Sequence, residues 1–287
     1  MIFNYLFNIQ LFVCLLIYLY VYLFIYLFIY LFIYLFIYLF IHLHNFRTSI
    51  HYKNLQVGFA KMRFRWNYLS EENRNDLILA VGQVASTLND REVGNLLHSL
   101  SKLAVPWNVF PKPVQSDLLQ SFIRVSKLLV SQQGSMAVYS LGLMGLTLDN
   151  VTPAVRDHIF VVALSVLEES KVHVHPSITQ QVSNVIYGLA KMGVRYKSLP
   201  QYVSTGIEDG IIHTMRVMNE QEISNTIYSL GLMGARWVEF TPSVRDILKN
   251  TVVQRFSRMI TQVRKLRHWD NIFLFRLIKI INGTLIN

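Results

Sequence analysis

Cysteine is almost absent from this 287-residue chain, since Cys14 is the only one. A single thiol excludes an intramolecular disulfide and a zinc site built from several cysteines. The chain also lacks a glycine-rich phosphate loop, a nucleophile elbow and paired carboxylates at a spacing that suits acid–base catalysis. We therefore interpret the chain as a non-enzyme with no catalytic residues, no metal, no cofactor and no small-molecule substrate.

Charge is absent from residues 1–44, which contain no Lys, Arg, Asp or Glu. Within them the unit Leu-Phe-Ile-Tyr repeats from about Leu23 to Leu39. The length and apolarity are those of a membrane span, but a TTTA microsatellite read in one frame would encode the same unit. We favour a mis-assigned start or translated non-coding DNA, with a membrane anchor as the alternative. A membrane is thus expected as a partner only if this segment is genuinely translated.

A five-residue segment recurs through the rest of the chain. Its starts are 41, 41, 48 and 41 residues apart, and the copies are GFAKM (58–62), SLSKL (99–103), SLGLM (140–144), GLAKM (188–192) and SLGLM (229–233). A period near 40 residues is typical of helix-pair repeats. The sequence therefore predicts an all-α fold, an α-solenoid of about five helix pairs over residues 45–262, followed by a basic, irregular tail at 263–287. The longer spacing predicts an insertion near 171–175, in a loop between two repeats.

Local signals predict an A helix and then a B helix in each repeat. Capping boxes predict the starts of A helices and glycines their ends: Asn89 with Glu92, Ser177 with Gln180, Asn219 with Glu222, then Gly145, Gly193 and Gly234. Prolines mark the starts of B helices: Pro113, Pro153, Pro200 and Pro242. The apolar spacing in the last A helix predicts a core face of Ile223, Ile227, Leu230 and Met233.

We call the first residue of each segment position 0. Particular residue types also recur at fixed distances from it. A large apolar residue stands at +8: Trp66, Trp107, Leu148, Tyr196 and Trp237. Asparagine stands at −4, a small residue at 0 and lysine at +3: Asn54, Asn95, Asn184 and Asn225, then Gly58, Ser99, Ser140, Gly188 and Ser229, then Lys61, Lys102 and Lys191. The last three positions share one line along a helix.

Two interpretations of this line are open. In the first, Asn satisfies a neighbouring backbone group and the small residue admits the next helix closely. In the second, stacking of the repeats places the lines side by side on a concave surface, where Asn addresses base edges and Lys contacts phosphates. The residues under the second interpretation are Asn54, Lys61, Asn95, Lys102, Asn184, Lys191 and Asn225.

A family resemblance follows from two of these segments, VSNVIYGLAKMG (182–193) and ISNTIYSLGLMG (223–234). They resemble the octotricopeptide-type repeat signature of organellar proteins, which is similar to the leucine-rich region of the FAST-kinase-domain and RAP-domain family. The resemblance covers about residues 53–260, and no RAP domain is recognised. It implies an α-solenoid that binds single-stranded organellar RNA and affects RNA processing, stability or translation. The implied location is the mitochondrial matrix, with the plastid as the alternative.

The charge balance favours a polyanionic partner, because the net charge is +10 and every charged residue follows position 46. A basic run near the end suits phosphate contact: Arg255, Arg258, Arg264, Lys265 and Arg267. An ordinary solvated helix end is the alternative for this run. The alternative for the whole chain is a protein-interaction scaffold of armadillo or HEAT type, which binds extended peptides. Steep salt dependence would favour RNA over a peptide.

Overall fold

The computed structural model describes Tyr18, residues 20–27 and residues 65–265, with side chains described as far as residue 255. The chain divides into two compact units, Met1–Val84 and Ala85–Asn287. The regular structure of the described residues is helical, and no strand occurs among them. This confirms the predicted all-α class.

The first unit contains a 3₁₀ turn at Trp66–Tyr68 and helix α1 at Glu71–Val84. The Arg74 side chain ties α1 to this turn, because its guanidinium lies 5.5 Å from the centre of the Trp66 ring. The same group donates hydrogen bonds to the carbonyl oxygens of Trp66, at 3.2 Å, and Asn67, at 3.1 Å. Trp66, the predicted aromatic residue at +8, thus lies in the turn that leads into a B helix, α1.

Most of the apolar tract predicted at residues 1–44 lies outside the described residues. Residues 20–27 of it are helical, and their side chains are exposed. In the described part of the chain, no helix has both the length and the apolarity needed to cross a membrane.

The second unit consists of helix pairs that stack in series. Its helices within the described residues are α2 Asp90–Lys102, α3 Lys112–Val125, α4 Ser131–Leu143, α5 Pro153–Val172, α6 Pro176–Lys191, α7 Gln201–Thr214, α8 Glu220–Leu232 and α9 Pro242–Lys265. Each even-numbered helix contacts the next even-numbered one, and we call α2, α4, α6 and α8 the A layer. The odd-numbered helices α3, α5, α7 and α9 contact one another in the same way and form the B layer. This serial arrangement is the predicted α-solenoid.

The predicted helix ends are largely confirmed. Asn89 and Asn219 form capping boxes with Glu92 and Glu222. Glycine closes three A helices with positive φ, at Gly145, Gly193 and Gly234, because a residue without a β-carbon adopts the left-handed conformation readily.

Two predictions about α6 and its neighbours were wrong. The predicted capping box of Ser177 does not form, because α6 begins earlier, at Pro176, and His175 is its N-cap. The insertion predicted in the loop near 171–175 is instead mostly helical. Helix α5 has 20 residues where α3 and α7 have 14, and α6 has 16 where α2 has 13. Continuing a helix adds one backbone hydrogen bond per residue, so an insertion costs little there.

Backbone hydrogen bonds join successive repeats at positions +8 and +4. In three repeats the N–H of the residue at +8 donates to the carbonyl oxygen of the residue at +4 in the next repeat: Trp107 to Met144 at 2.6 Å, Leu148 to Met192 at 3.1 Å, and Tyr196 to Met233 at 3.0 Å. The side chains at +8 in these three repeats are buried. The recurring motif therefore encodes the junction between repeats as well as the helix core.

Candidate nucleic-acid interface

The small residues at position 0 hold the A helices close together. Ser140, Gly188 and Ser229 are buried, and each lies within an A helix that packs against the A helix of the preceding repeat. A methyl group built on Gly142 would lie 2.5 Å from the carbonyl oxygen of Gly188, and one built on Gly188 would lie 2.6 Å from the carbonyl oxygen of Val138. Position 0 therefore serves packing, as the first interpretation expects, and does not line a surface.

Buried hydroxyls at these junctions find partners within the A layer. The Ser101 hydroxyl donates to the Ser140 hydroxyl at 3.2 Å. The Ser229 hydroxyl donates to the carbonyl oxygen of Asn225, four residues earlier, at 2.5 Å. Such bonds to a residue's own helix satisfy a hydroxyl without a partner from another element. Serine can thus replace glycine at a junction when the neighbouring residue is also small.

The predicted asparagines, unlike these small residues, are not buried. Asn95, Asn184 and Asn225 are partly exposed on the A layer. Among the described residues, the side-chain amides of Asn184 and Asn225 have no hydrogen-bond partner. An amide carries two donor hydrogens and an acceptor oxygen, which is the pattern that bidentate recognition of a base edge uses. These two side chains are therefore available to a ligand.

A column of aromatic rings runs beside the asparagines, and the predictions from sequence did not include it. Position −1 is tyrosine in three consecutive repeats: Tyr139, Tyr187 and Tyr228. The ring centroids are 5.7 Å apart for Tyr139 and Tyr187 and 6.3 Å apart for Tyr187 and Tyr228, with the planes tilted by 37° and 31°. These distances are within the range of favourable aromatic pairs. The rings form a continuous aromatic row across three repeats, which we call the tyrosine column.

Lys191 adds a cation to this column. Its Nζ atom lies 5.4 Å from the centre of the Tyr187 ring and 5.8 Å from the centre of the Tyr228 ring. A cation this close to two ring faces is attracted by their quadrupoles. Lys191 is therefore held beside both rings, whereas Lys102, at the same position of an earlier repeat, is exposed.

The last member of the column is its most exposed ring. His98 stands at position −1 of the second repeat, where burial, followed by the nearby charge of Lys102, lowers its pKa to about 4. Its Nδ1 atom is buried and has no hydrogen-bond partner among the described residues. Burial raises the pKa of Tyr139, and the neighbouring Tyr187 adds to this effect. Tyr228 is more than half exposed, at 54%. Tyr228 is therefore the most accessible ring of the column, and it lies beside the cation of Lys191.

Arg255, from the predicted basic run, lies in the B layer. Its guanidinium donates to the carbonyl oxygen of Met218 at 3.0 Å and pairs with Glu220 at 3.0 Å. Arg124 makes the same kind of bond in an earlier repeat, to the carbonyl oxygen of Leu88 at 2.6 Å. These contacts join the B helix to the start of the A helix of the same repeat. A role of Arg255 in RNA binding stays a prediction.

The remaining predicted residues cannot be placed as side chains. Arg258, Arg264 and Lys265 belong to α9, but their side chains lie outside the described residues. Asn54, Lys61 and Arg267 lie wholly outside them. Of the residues predicted to bind RNA, the structure therefore brings Asn184, Lys191 and Asn225 together with the tyrosine column.

Comparison with protein-family models gave no match, and comparison with curated proteins gave no similar sequence. Among the described residues, no group of three or more His, Cys, Asp or Glu side chains is arranged to hold a metal ion. The described A-layer surface presents the tyrosine rings, the amides of Asn184 and Asn225 and the cation of Lys191.

Proposed function

We propose that this protein binds single-stranded RNA along its A layer, in an organelle. The tyrosine column with Lys191 is the observation that carries this proposal. Bases of a single strand can stack on tyrosine rings, and this stacking is tolerant of sequence because every base has a π-face. The cation beside Tyr187 and Tyr228 stands where a phosphate of the same strand would pass.

Two further features support an RNA ligand. The amides of Asn184 and Asn225 have no partner in the described structure and stand on the same helix line as the column. They would give modest base preference next to each stacking site. The net charge of +10 favours association with a polyanion. The octotricopeptide-like signature supports a mitochondrion, or alternatively a plastid, as the place where this RNA is processed, stabilised or translated.

The test is RNA affinity of the full-length chain, measured by fluorescence anisotropy with a labelled single-stranded RNA at several salt concentrations. Replacing Tyr187 or Tyr228 by Leu should weaken binding by roughly tenfold, since stacking of one base contributes about 1–3 kcal/mol. Tyr202→Leu is the matched control, because Tyr202 is a half-exposed tyrosine of the B layer. Lys191→Gln should lower the salt dependence, whereas Lys249→Gln, in the B layer, should not.

Equal losses in the A-layer and B-layer variants would contradict the proposal. Binding that persists unchanged as salt rises would also contradict it, because phosphate contacts release counterions. Tight binding of an extended peptide with no RNA affinity would identify the chain as a protein-interaction scaffold. Thermal unfolding of each variant separates loss of folding from loss of binding.

A further inference from the structure

Four cations cluster near the C-terminal ends of the A helices α6 and α8. Lys191 is the last residue of α6, Arg195 and Lys197 lie in the loop after it, and Arg236 lies in the loop after α8. Arg195 and Arg236 both stand at +7, where the second and third repeats have uncharged residues. We call these four residues the basic edge of the A layer.

Three side chains of the basic edge reach from the fourth repeat to the fifth. The Nζ atom of Lys191 lies 5.8 Å from the centre of the Tyr228 ring. The Nζ atom of Lys197 lies 3.6 Å from a carboxylate oxygen in the loop after α8. The Arg195 guanidinium would lie 4.0 Å from a methyl group built on Gly234, which closes α8. The cations of both repeats therefore meet at one junction, beside the C-terminal end of α8.

The carboxylates at this junction do not neutralise the basic edge. Glu239 lies between two of the cations, 3.6 Å from Lys197 and 2.9 Å from Arg236. Glu208 of α7 lies beside the same loops, where it accepts a hydrogen bond from the Tyr196 hydroxyl at 3.0 Å. A backbone N–H of the loop after α8 donates to its other oxygen at 3.2 Å. Four cations against two carboxylates leave a net charge of +2.

Arg195 is the member of the basic edge that is most open to an anion. Its side chain is exposed and makes no hydrogen bond or ion pair within the described part of the chain. It stands four residues beyond the end of α6. The attraction of cations to a helix C-terminus falls off within the last turn, so it does not account for this position. An unpaired guanidinium beside further cations suits the binding of phosphate.

We propose that the basic edge contacts the phosphates of the RNA strand whose bases stack on the tyrosine column, an inference that rests on the proposed function. Tyr187 and Tyr228 each stand four residues before the end of their helix, which is about 6 Å along the helix axis. One nucleotide covers this distance between its phosphate and its base. The strand then runs across the A helices, with its phosphates at their C-terminal ends and its bases directed toward Asn184 and Asn225.

The surface beside the basic edge is open in the fifth repeat. Tyr228 is 54% exposed, as the stacking of a base requires. Ile227 is 39% exposed, although the residues at the same position of the earlier repeats, Leu97, Val138 and Ile186, are buried. This corrects the prediction that Ile227 belongs to the core. The fifth repeat therefore offers apolar as well as aromatic surface to the bases.

The third repeat has no such edge. It has Leu143 at +3, Thr147 at +7 and Asp149 at +9, the positions of Lys191, Arg195 and Lys197 in the fourth repeat. Contact with phosphates is thus expected to stop where the third repeat meets the fourth.

The salt dependence of RNA affinity, measured with the full-length chain, tests this proposal. The chain with Arg195→Gln and Lys197→Gln should lose about two phosphate contacts, each of which contributes about 0.7 to the slope of log affinity against log salt. The fall in affinity from about 50 to about 200 mM salt should therefore be about sevenfold smaller than for the unaltered chain. The control chain carries Lys127→Gln and Arg216→Gln, at two exposed cations in the loops that precede α4 and α8. It should keep the slope of the unaltered chain.

Glu239→Gln should act in the opposite direction. It removes the charge that Lys197 and Arg236 share, but it keeps an oxygen that can accept from the N–H of Arg236. RNA affinity should be higher in this variant, and its fall over the same salt range should be about threefold larger. Loss of folding would not strengthen binding, so this gain separates phosphate contact from an effect on structure.

A ribose-phosphate strand without bases distinguishes the basic edge from the tyrosine column. The Arg195→Gln and Lys197→Gln chain should show the same reduced salt dependence with this abasic strand as with RNA. Tyr228→Leu should weaken only the binding of the strand that carries bases. Circular dichroism confirms that each variant is folded.

Equal salt dependence in the two doubly substituted chains would overturn this proposal, although RNA binding by the unaltered chain would still support the proposed function. An abasic strand that the unaltered chain does not bind would also overturn it, because phosphate contacts alone support binding at low salt. If the unaltered chain bound neither strand, the proposed function itself would be refuted.

Discussion

The two helix layers of the second unit are built in different ways. In the A layer, a methyl group on Gly142 or Gly188 would collide with backbone atoms of the neighbouring helix. In the B layer, a methyl group on Gly206 or Gly210 would meet side-chain ends of Leu164 and Leu167, at 2.8 and 2.9 Å. Backbone contacts fix the spacing of neighbouring helices, whereas leucine side chains can move to accommodate change.

Helix length follows the same division. Three of the four A helices have 13 residues and the fourth has 16, while the B helices have 14, 20, 14 and 24. The B layer thus absorbs most of the variation in repeat length. The A layer varies less in length, and the side chains at position −1 of its successive helices lie next to one another, as the tyrosine column requires. The regular surface therefore lies on the layer whose helices vary less in length.

The largest effect is expected from a substitution that forces two neighbouring A helices apart at one junction. Gly142→Ala should destabilise the chain by about 3 kcal/mol, because the new methyl group forces two helix backbones apart. Gly231→Ala is the matched control, at the same position of a later repeat, where the added methyl group would have no atom of the described residues within 4 Å. It should be neutral or stabilising by up to about 1 kcal/mol, the helix preference of alanine over glycine.

Urea unfolding of the two variants measures this prediction. Similar stabilities for Gly142→Ala and Gly231→Ala would mean that the A helices separate freely at their junctions. In that case the alignment of position −1 along the A layer would need another explanation. Gly206→Ala, in the B layer, should fall between the two, since only the end of Leu164 has to move.

The layers also differ in how well sequence predicted them. The period, the Asn89 and Asn219 caps and the closing glycines were readable because each depends on a few residues close in the chain. The small residues of the A layer were found, but their partners across the junction depend on the distance between helices, which no local pattern contains. The inserted residues were assigned to a loop and not to a helix, because they lengthen the repeat by the same number of residues in either place.

The candidate surface was also predicted only in part, because a sequence shows recurrence within a helix but not contacts between helices. Asn184, Asn225 and Lys191 were identified by recurrence within one helix. Tyr187 and Tyr228 recur at an equally regular position, in both segments that carry the family resemblance. Aromatic residues at helical spacing are usually core, however, so only their exposure in the folded A layer shows that they line a surface.

A second prediction concerns His98, which stands at position −1, where the later repeats have tyrosine. Burial and Lys102 lower the pKa of His98 to about 4, from an ordinary value of 6.5 in the unfolded chain. Between these values the unfolded chain binds more protons, so stability falls as pH drops below about 6.5 and this loss is complete below about 4. His98 should account for about 2 kcal/mol of destabilisation between pH 7 and pH 5.

His98→Tyr removes this titration and extends the tyrosine column by one repeat. The free energy of unfolding of this variant minus that of the unaltered chain should therefore be about 2 kcal/mol larger at pH 5 than at pH 7. Denaturant unfolding at the two pH values gives this difference directly. A stability difference that does not change with pH would show that the imidazole is protonated in the folded chain and that the A layer is open to water at His98.

The smallest effect is expected in the B layer, at the arginine that joins it to the A layer. Arg124→Ala removes hydrogen bonds to the carbonyl oxygens of Ser86, at 2.8 Å, and Leu88, at 2.6 Å. These bonds are partly exposed, so their loss should cost about 1 kcal/mol. Arg91→Ala, an exposed arginine of α2, is the control and should change the free energy of unfolding by less than about 0.5 kcal/mol. If both arginines proved equally dispensable, the contact between layers would rest on apolar packing alone, and Arg255, which makes the same contact in the last repeat, would be free to serve a ligand.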